Sequence, residues 1–338
     1  MTAESPKAES PTAQSPTAEP LVSIIIPAYQ AESYLGAAIS SALTQTYPNI
    51  EVVVTDDGAT DRTAAIAAAY GDLVRVVTQP NRGLPAARNA AIAAATGDYI
   101  LTLDADDLAL PPMVADAMAV LAADGSGRRF VTSDGYLMTS AGITPGRTVL
   151  PSGYPADDQQ RAQILEFNFV AVFSLFPKAM WVELGGYDES MRVCEDYDFW
   201  ARAIYSGWRV SFQKKPHALY RRTSGSLSTQ HERMYSGEQL VLQHVLDGFG
   251  DTLTDDERSY LQLRLACGST QQALNAGDAA LRAGDASAAA EHFALAARLN
   301  PSNRRIALKA KALRFQPAAR LYASRLQRAD HEMGRTNV

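Results

Sequence analysis

The sequence predicts an α/β protein: a doubly wound parallel sheet followed by a small all-α region. Three observations lead there. Residues 21–27 (LVSIIIP) and 50–58 (IEVVVTDDG) are short apolar runs rich in β-branched residues, the pattern of strands buried on both faces. Helical periodicity fills the intervals between such runs, as in βαβ units. From about residue 236 the strand signals stop and long helices take over.

The elements follow in order. Residues 1–20 repeat a Ser-Pro-x-Ala pattern and hold no large apolar residue between Met1 and Leu21. They cannot bury enough surface to offset ordering entropy, so a disordered Ser/Pro/Ala-rich tail is expected, and the absence of an apolar core argues against a secretory signal. After the first strand, Leu35, Ile39 and Leu43 recur at helical spacing within 31–46. The second strand ends in Asp56, Asp57 and Gly58, and a short Ala-rich helix spans about 60–70. A third strand covers 74–79, and a helix within RGLPAARNAAIAAATG is closed by Gly97. The fourth strand, YILTLDADD, runs into Asp104, Asp106 and Asp107. Beyond it lie a helix at 113–123, a strand pair or strand and turn at 130–140, and a loop rich in Pro and Gly at 141–160. A GGYDE turn, a helix from about 195 to 206 and a strand complete the sheet region. Residues 275–303 carry small residues at helical spacing and close on Leu299-Asn300-Pro301, like one tetratricopeptide-type helix pair. The expected units are therefore 1–20, 21–230 and 236–338.

The chain has 338 residues, a net charge of −6 and a pI near 5.4, so it lacks the basic surplus that a nucleic-acid backbone requires. No run of 18 apolar residues predicts a transmembrane span. Cys194 and Cys267 are far apart and form no metal or disulfide pattern; two reduced thiols in a cytoplasmic protein are expected. The basic C-terminal stretch leaves room for peripheral contact with a membrane surface.

In parallel α/β sheets, ligands bind beyond the carboxyl ends of the strands. Three strands here end in polar signals: Pro27-Ala28-Tyr29, Asp56-Asp57, and Asp104-x-Asp106-Asp107. Acids gathered on one rim repel one another unless a cation sits among them. Mg²⁺ and Mn²⁺ take oxygen ligands and bridge to substrate phosphates, so a metal-held diphosphate is the chemistry expected. A DxD turn alone also solvates a turn or caps a helix. Asp61 reads as such a cap. Arg88, on the helix before the acidic strand, is placed to offset charge near a diphosphate. Glu195 and Asp196 open an amphipathic helix, where the dipole favours ionised carboxylates suited to a general base.

Together these stretches resemble the family 2 glycosyltransferases, inverting enzymes with the GT-A fold. The resemblance rests on VSIIIPAYQAESYLGAAISSALTQTYPNIEVVVTDDGATDRT, NRGLPAARNAAIAAATGDYILTLDADD and LGGYDESMRVCEDYDFWARA, in the family's order, and spans about 21–228. It implies that Pro27, Ala28 and Tyr29 form the loop that holds the nucleotide base, with Glu32 beside it, and that Asp57 contacts the base. Asp104 and Asp106 match the DxD that holds ribose and a divalent metal, Mn²⁺ or Mg²⁺, with Asp107 sharing the metal. Asp196 matches the catalytic base and Glu195 its neighbour. A nucleotide-sugar donor, UDP-linked by default, and a glycan, glycolipid or protein acceptor are implied.

One departure is visible: where relatives show His in YRxHxxSxS, this chain has Thr223. His217 is not assumed to replace it; either leaving-group stabilisation is weaker here, or Arg221 or Arg222 takes it over. Thr223 also supports an alternative, a catalytically weak relative acting as a scaffold through its C-terminal helices. PAYQAE after the first strand excludes the GxGxxG of a dinucleotide dehydrogenase. The lack of a QxxRW signature favours single-sugar transfer. Trp200 is expected in the helix core rather than lining an acceptor pocket.

Overall fold

The computed structural model describes residues 19–150, 154–222, 231–301 and 303–336. Its sheet begins as the alternation requires. Strands β1 (Val22–Ala28), β2 (Ile50–Asp56), β3 (Arg75–Thr78) and β4 (Tyr99–Thr102) are parallel and lie in the order β3-β2-β1-β4. Helices α1 (Leu35–Leu43), α2 (Thr63–Ala68) and α3 (Leu84–Ala94) connect them. Alternate side chains point to opposite faces. Ile25, Val53 and Ile100 therefore enter one core, while Ile24, Ile26, Val52, Val54 and Leu101 enter another. Continuous apolar runs are thus what these strands need.

The second half of the sheet differs from the doubly wound parallel expectation: the sheet is mixed. A short strand β5 (Leu108–Ala109), β6 (Arg129–Thr139), β7 (Gly142–Thr148), β8 (Ser174–Pro177) and β9 (Arg209–Arg221) extend it to β3-β2-β1-β4-β8-β6-β9-β5, with β7 on β6. Strand β8 runs antiparallel to both β4 and β6, and β6 runs parallel to β9. Helices α4 (Met113–Ala122), α5 (Gln160–Glu166), α6 (Lys178–Glu183) and α7 (Glu195–Tyr205) pack around these strands. The pairing of β6 with β9 shifts register on either side of Asp134, which curls this half of the sheet. The Asp134 carboxylate accepts the N–H groups of Gly135, Val149 and Leu150. A Cβ on Gly135 would lie 2.9 Å from the Phe173 ring, so the bend needs glycine. The Pro- and Gly-rich stretch expected as loop thus contains β7.

The C-terminal region is larger than one helix pair. It comprises α8 (His231–Phe249), α9 (Asp255–Cys267), α10 (Thr270–Arg282), α11 (Ala286–Leu299), α12 (Arg304–Ala312) and α13 (Gln316–Thr336). The tetratricopeptide-like pair is α10 and α11, with Gly277 set against the ring of Phe293. A single pair cannot cover both its faces. Here α12 and α13 complete the cover through Ile306, Ala310, Leu313 and Ala319. Helices α8 and α9 instead join the core that Ile25, Val53 and Ile100 enter, through Val241, Leu242, Val245 and Leu261. Capping boxes at Thr254–Glu257 and Ser269–Gln272 start α9 and α10.

Most of the expected tail lies outside the described residues; the carbonyls of Glu19 and Pro20 accept from Asn49 and Tyr47. Trp200 is fully buried, stacked on Phe130 and edge-on to Phe176 and Phe199. It belongs to the core, and Trp208 is buried beneath the Arg128 guanidinium. Truncating Trp200 to Ala is expected to lower unfolding free energy by about 3–5 kcal/mol in urea titrations. An unchanged midpoint and slope would mean that this cluster does not bear on stability.

Candidate active site

The crevice opens where the strand order reverses, between β1 and β4. The Ile25 carbonyl accepts from Leu103 N–H, and the Ala28 carbonyl accepts from Asp57 N–H. Backbone groups alternate sides along a strand, so Pro27 faces the β4 side beyond the point where β4 ends. Its missing N–H is harmless there. Ala28 is buried, and Tyr29 projects from the rim with about half its surface exposed. The left-handed Gln30 (φ 50°) accepts Thr60 N–H through its side-chain oxygen. Glu32 accepts Arg62 N–H, and its own N–H donates to Asp61. Asp61 also accepts Thr63 N–H, but the N-cap of α2 is Arg62, so Asp61 lies one residue before the cap and closes the turn there instead of capping the helix. Pro27 and Ala28 thus end β1 and are not loop residues, whereas Tyr29 and Glu32 belong to the loop that follows, pinned to the 57–63 turn.

Asp57 is buried and accepts three hydrogen bonds, from Gln79 Nε2 (2.7 Å), Arg82 N–H and Gly83 N–H (2.9 Å each). A carboxylate has about four acceptor positions, so most of its capacity is used in shaping the loop before α3.

Arg88 and Asn89 on α3 hold the opposite wall. Arg88 is 1% exposed. Its Nη1 donates to Glu195 Oε1 (2.5 Å) and its Nη2 to Asp104 Oδ1 (2.8 Å). The expectation of a guanidinium beside the diphosphate is thus corrected in detail: its two terminal nitrogens clamp two carboxylates, one from each wall. Asn89, passed over in the sequence, donates to the Tyr187 carbonyl and accepts Tyr187 N–H and Trp181 Nε1–H. It fixes the GGYDE turn, where Gly186 (φ 84°) has no room for a Cβ, 2.9 Å from Asn89 Oδ1. The RN dipeptide on one helical turn was the available signal.

The acidic segment divides by environment. Asp104 faces Arg88. Asp106 has its carboxyl pushed up to about 6 by burial, with the charge of Asp104 adding to it. Asp107 is 1% exposed, and its Oδ1 accepts Arg221 N–H at 2.7 Å. Burial raises it well above the ordinary carboxylate range. Its Oδ2 is a buried oxygen without a partner among the described residues. The Arg221 guanidinium donates to the Asp106 carbonyl and lies 4.5 Å from the Tyr34 ring centroid, at the acidic turn. His217 pairs with Asp116 and the Lys215 carbonyl, as expected of a residue outside this site, and Thr223 lies outside the described residues.

Glu195 and Asp196 begin α7 behind Cys194, which is left-handed (φ 61°). Such a conformation is strained for a residue with a Cβ. Helix α8 packs on this turn: a Cβ on Gly237 would meet Val193 and Cys194 within 3 Å. Glu195 is neutralised by Arg88. Asp196 is half-buried; its Oδ2 receives Asn168 Nδ2 at 3.3 Å, and the Tyr197 backbone N–H also donates to its carboxylate. Burial, and then the charge of Glu195, push Asp196 up to about 7. The Asn168 amide is oriented by its oxygen, which accepts Val170 N–H. No sequence feature singled out Asn168. Both cysteines are free, Cys194 buried and Cys267 exposed.

Five carboxylates thus share two guanidinium groups, a donor set that fits an added divalent cation. Among the described residues no three His, Cys, Asp or Glu side chains form a preformed cage. Asp104 and Asp106 are exposed enough to contribute; Asp107, turned to the β9 backbone and enclosed, is the least suited of the three.

Residues 23–181 match the glycosyl transferase family 2 model. Glycosyltransferases of Rickettsia typhi and Rickettsia prowazekii are 29% and 28% identical, over 69% and 76% of this chain and 76% and 78% of theirs. Chondroitin synthase of Pasteurella multocida is 32% identical over 54% of this chain, which spans only 19% of that longer protein. Two solved structures share the fold. S. aureus TarS (residues 1–349), in complex with UDP-GlcNAc, has a TM-score of 0.58 at 19% identity, covering 94% of this chain and 92% of that one. The mannosyltransferase PcManGT of Pyrobaculum calidifontis, in complex with GDP-Man and Mn²⁺, has 0.57 at 20%, covering 94% and 90%. Both are GT-A folds, as the mixed sheet here is. Among the described residues no helix is long and apolar enough to cross a membrane.

Replacing Arg88 by Met leaves Glu195 buried without its counter-charge. Urea unfolding is expected to show a loss of about 3–5 kcal/mol. A variant with the wild-type midpoint and slope would show that the clamp is not structural.

Proposed function

This chain belongs to glycosyl transferase family 2 and is a glycosyltransferase; from that premise we propose an inverting enzyme. It moves one sugar from a nucleotide-sugar donor, UDP-linked by preference, to a hydroxyl of a glycan or glycolipid in polysaccharide or glycoconjugate synthesis. The observation that carries this reading is the unequal treatment of the two acids opening α7. Arg88 neutralises Glu195, while Asp196 has no ion-pair partner among the described residues and a proton affinity near neutral. A base whose pKa lies near the working pH transfers protons most effectively.

In the proposed reaction the Asp196 carboxylate takes the proton of the acceptor hydroxyl. The hydroxyl oxygen forms its bond to the anomeric carbon as the bond from that carbon to the diphosphate oxygen breaks, and the diphosphate leaves with the electron pair. One displacement inverts the configuration. The end of β1 at Pro27 and Ala28, together with Tyr29 and Glu32 after it, holds the base, with Asp57 shaping its far side. Asp104 and Asp106 would hold a divalent cation, which when bound supplies neutralisation of diphosphate charge. Arg221, at the acidic turn, adds positive charge there. PcManGT was solved with GDP-Man and Mn²⁺, which supports both the metal and a diphosphate donor and keeps GDP-sugars beside UDP-sugars as candidates. The units proposed are a catalytic region over 21–230 and a helical region over 236–338. Two free thiols suit a reducing, cytoplasmic setting, with peripheral contact at the inner membrane face.

Asp196→Asn is expected to leave nucleotide-sugar affinity nearly intact and to lower turnover by about 10²-fold or more. Wild-type turnover would remove Asp196 from the role. Asp106→Ala is expected to abolish the gain in UDP affinity that Mn²⁺ confers in calorimetry. Equal affinities with and without Mn²⁺ in the wild type would count against metal-assisted donor binding.

A further inference from the structure

The α12–α13 region has a composition unlike the rest of the chain. Between Asn303 and Ala329 lie eight Lys and Arg residues and no Asp or Glu, in a protein whose net charge is −6. Lys309 is occupied, 3.2 Å from Asp278 and over the Phe293 ring. Arg304, Arg305, Lys311, Arg314, Arg320 and Arg325 are exposed, and none has an ion-pair partner among the described residues. Apolar side chains stand out between them. Leu308 is 65% exposed, Phe315 70% and Leu321 52%. On α12, Arg304, Leu308 and Lys311 recur at i, i+4 and i+7, one stripe of the helix. Phe315 sits at the turn between the helices next to Arg314, and Leu321 precedes Arg325 by one turn on α13. The opposite sides of both helices are buried on α10 and α11, so this stripe is not a core face.

We propose that this face docks the enzyme onto an anionic lipid bilayer. Basic residues near a surface are attracted by anionic headgroups, their long stems let the charges stay at headgroup level, and exposed Leu and Phe enter the acyl boundary. A nucleic-acid or acidic-protein partner would use the charges but gives no reason for three large apolar side chains to stand free among them. The inference deepens the acceptor reading above, since a glycolipid is presented at such a surface.

The test is cosedimentation of the full chain with vesicles at about 0.1 M salt, where charges near the surface are still felt. One set of vesicles is phosphatidylcholine; the other contains roughly a third phosphatidylglycerol. Binding to the anionic vesicles alone is expected. The triple variant Arg304→Glu, Lys311→Glu, Arg314→Glu should weaken it at least about 10-fold, and Phe315→Ser should weaken it several-fold. Circular dichroism and donor hydrolysis establish that each variant is folded. Binding by neither vesicle, or triple-variant binding equal to wild type, overturns the inference. So does binding that Phe315→Ser leaves unchanged and heparin competes away, which would mark a polyanion site. Because vesicles are tested without donor, failure here is distinct from failure of the transferase reading, which loss of nucleotide-sugar hydrolysis by the wild type would signal.

Discussion

One buried guanidinium joins the two halves of the site. Arg88 sits on α3, which packs against the parallel strands, yet its nitrogens reach Asp104 from the end of β4 and Glu195 from the start of α7. The two carboxylates come from opposite walls of the crevice and would repel if brought together alone. A planar fork satisfies both at once, where a lysine ammonium would be a point charge without that geometry. The same α3 turn carries Asn89, which fixes the turn preceding α7. The acidic end of β4 and the start of α7 are therefore held by adjacent residues of one helix.

The clamp also explains why the remaining acids differ. Charge balance stops at Asp104 and Glu195. Asp106 and Asp196 keep elevated proton affinities because they are desolvated beside ionised neighbours, and Asp107 is enclosed with one oxygen unmatched. The acidic turn after β4 is short of positive charge, and the start of α7 keeps a carboxylate that titrates near neutrality. Helix α8 supports the arrangement from behind through Gly237, and His244 Nδ1 lies 2.9 Å from Asp198 on α7. The C-terminal helices thus begin as part of the core around α7 before they become a separate stack.

Much of this was legible from residues alone. β1, β2 and β4 announce themselves because strands buried on both faces tolerate little besides apolar side chains, and polar residues at their ends stand out against them. The second half of the sheet was not legible in the same way. β8 is four residues long, β7 hides in a stretch of Gly and Pro, and their pairing is set by contacts far apart in sequence. The reading of Asp57 as a base contact did not foresee its three bonds to the 79–83 loop, and Arg88 read as a diphosphate partner because a sequence does not display which acids converge on it. Asn168 carried no signal, since one Asn in an irregular segment looks like any turn residue. The helical region was underestimated because a single tetratricopeptide-like pair is recognisable by its small residues, whereas α12 and α13, which cover it, have no comparable pattern.

The central claim is that unequal neutralisation leaves Asp196 as a base titrating near neutrality. The pH dependence of kcat/KM for sugar transfer tests it most directly, because it reports the free enzyme's essential groups. Asp196 acts when ionised, so the rate should fall about tenfold per pH unit as pH drops below about 7. A profile that stays flat until an ordinary carboxylate limb near pH 4 would contradict the account.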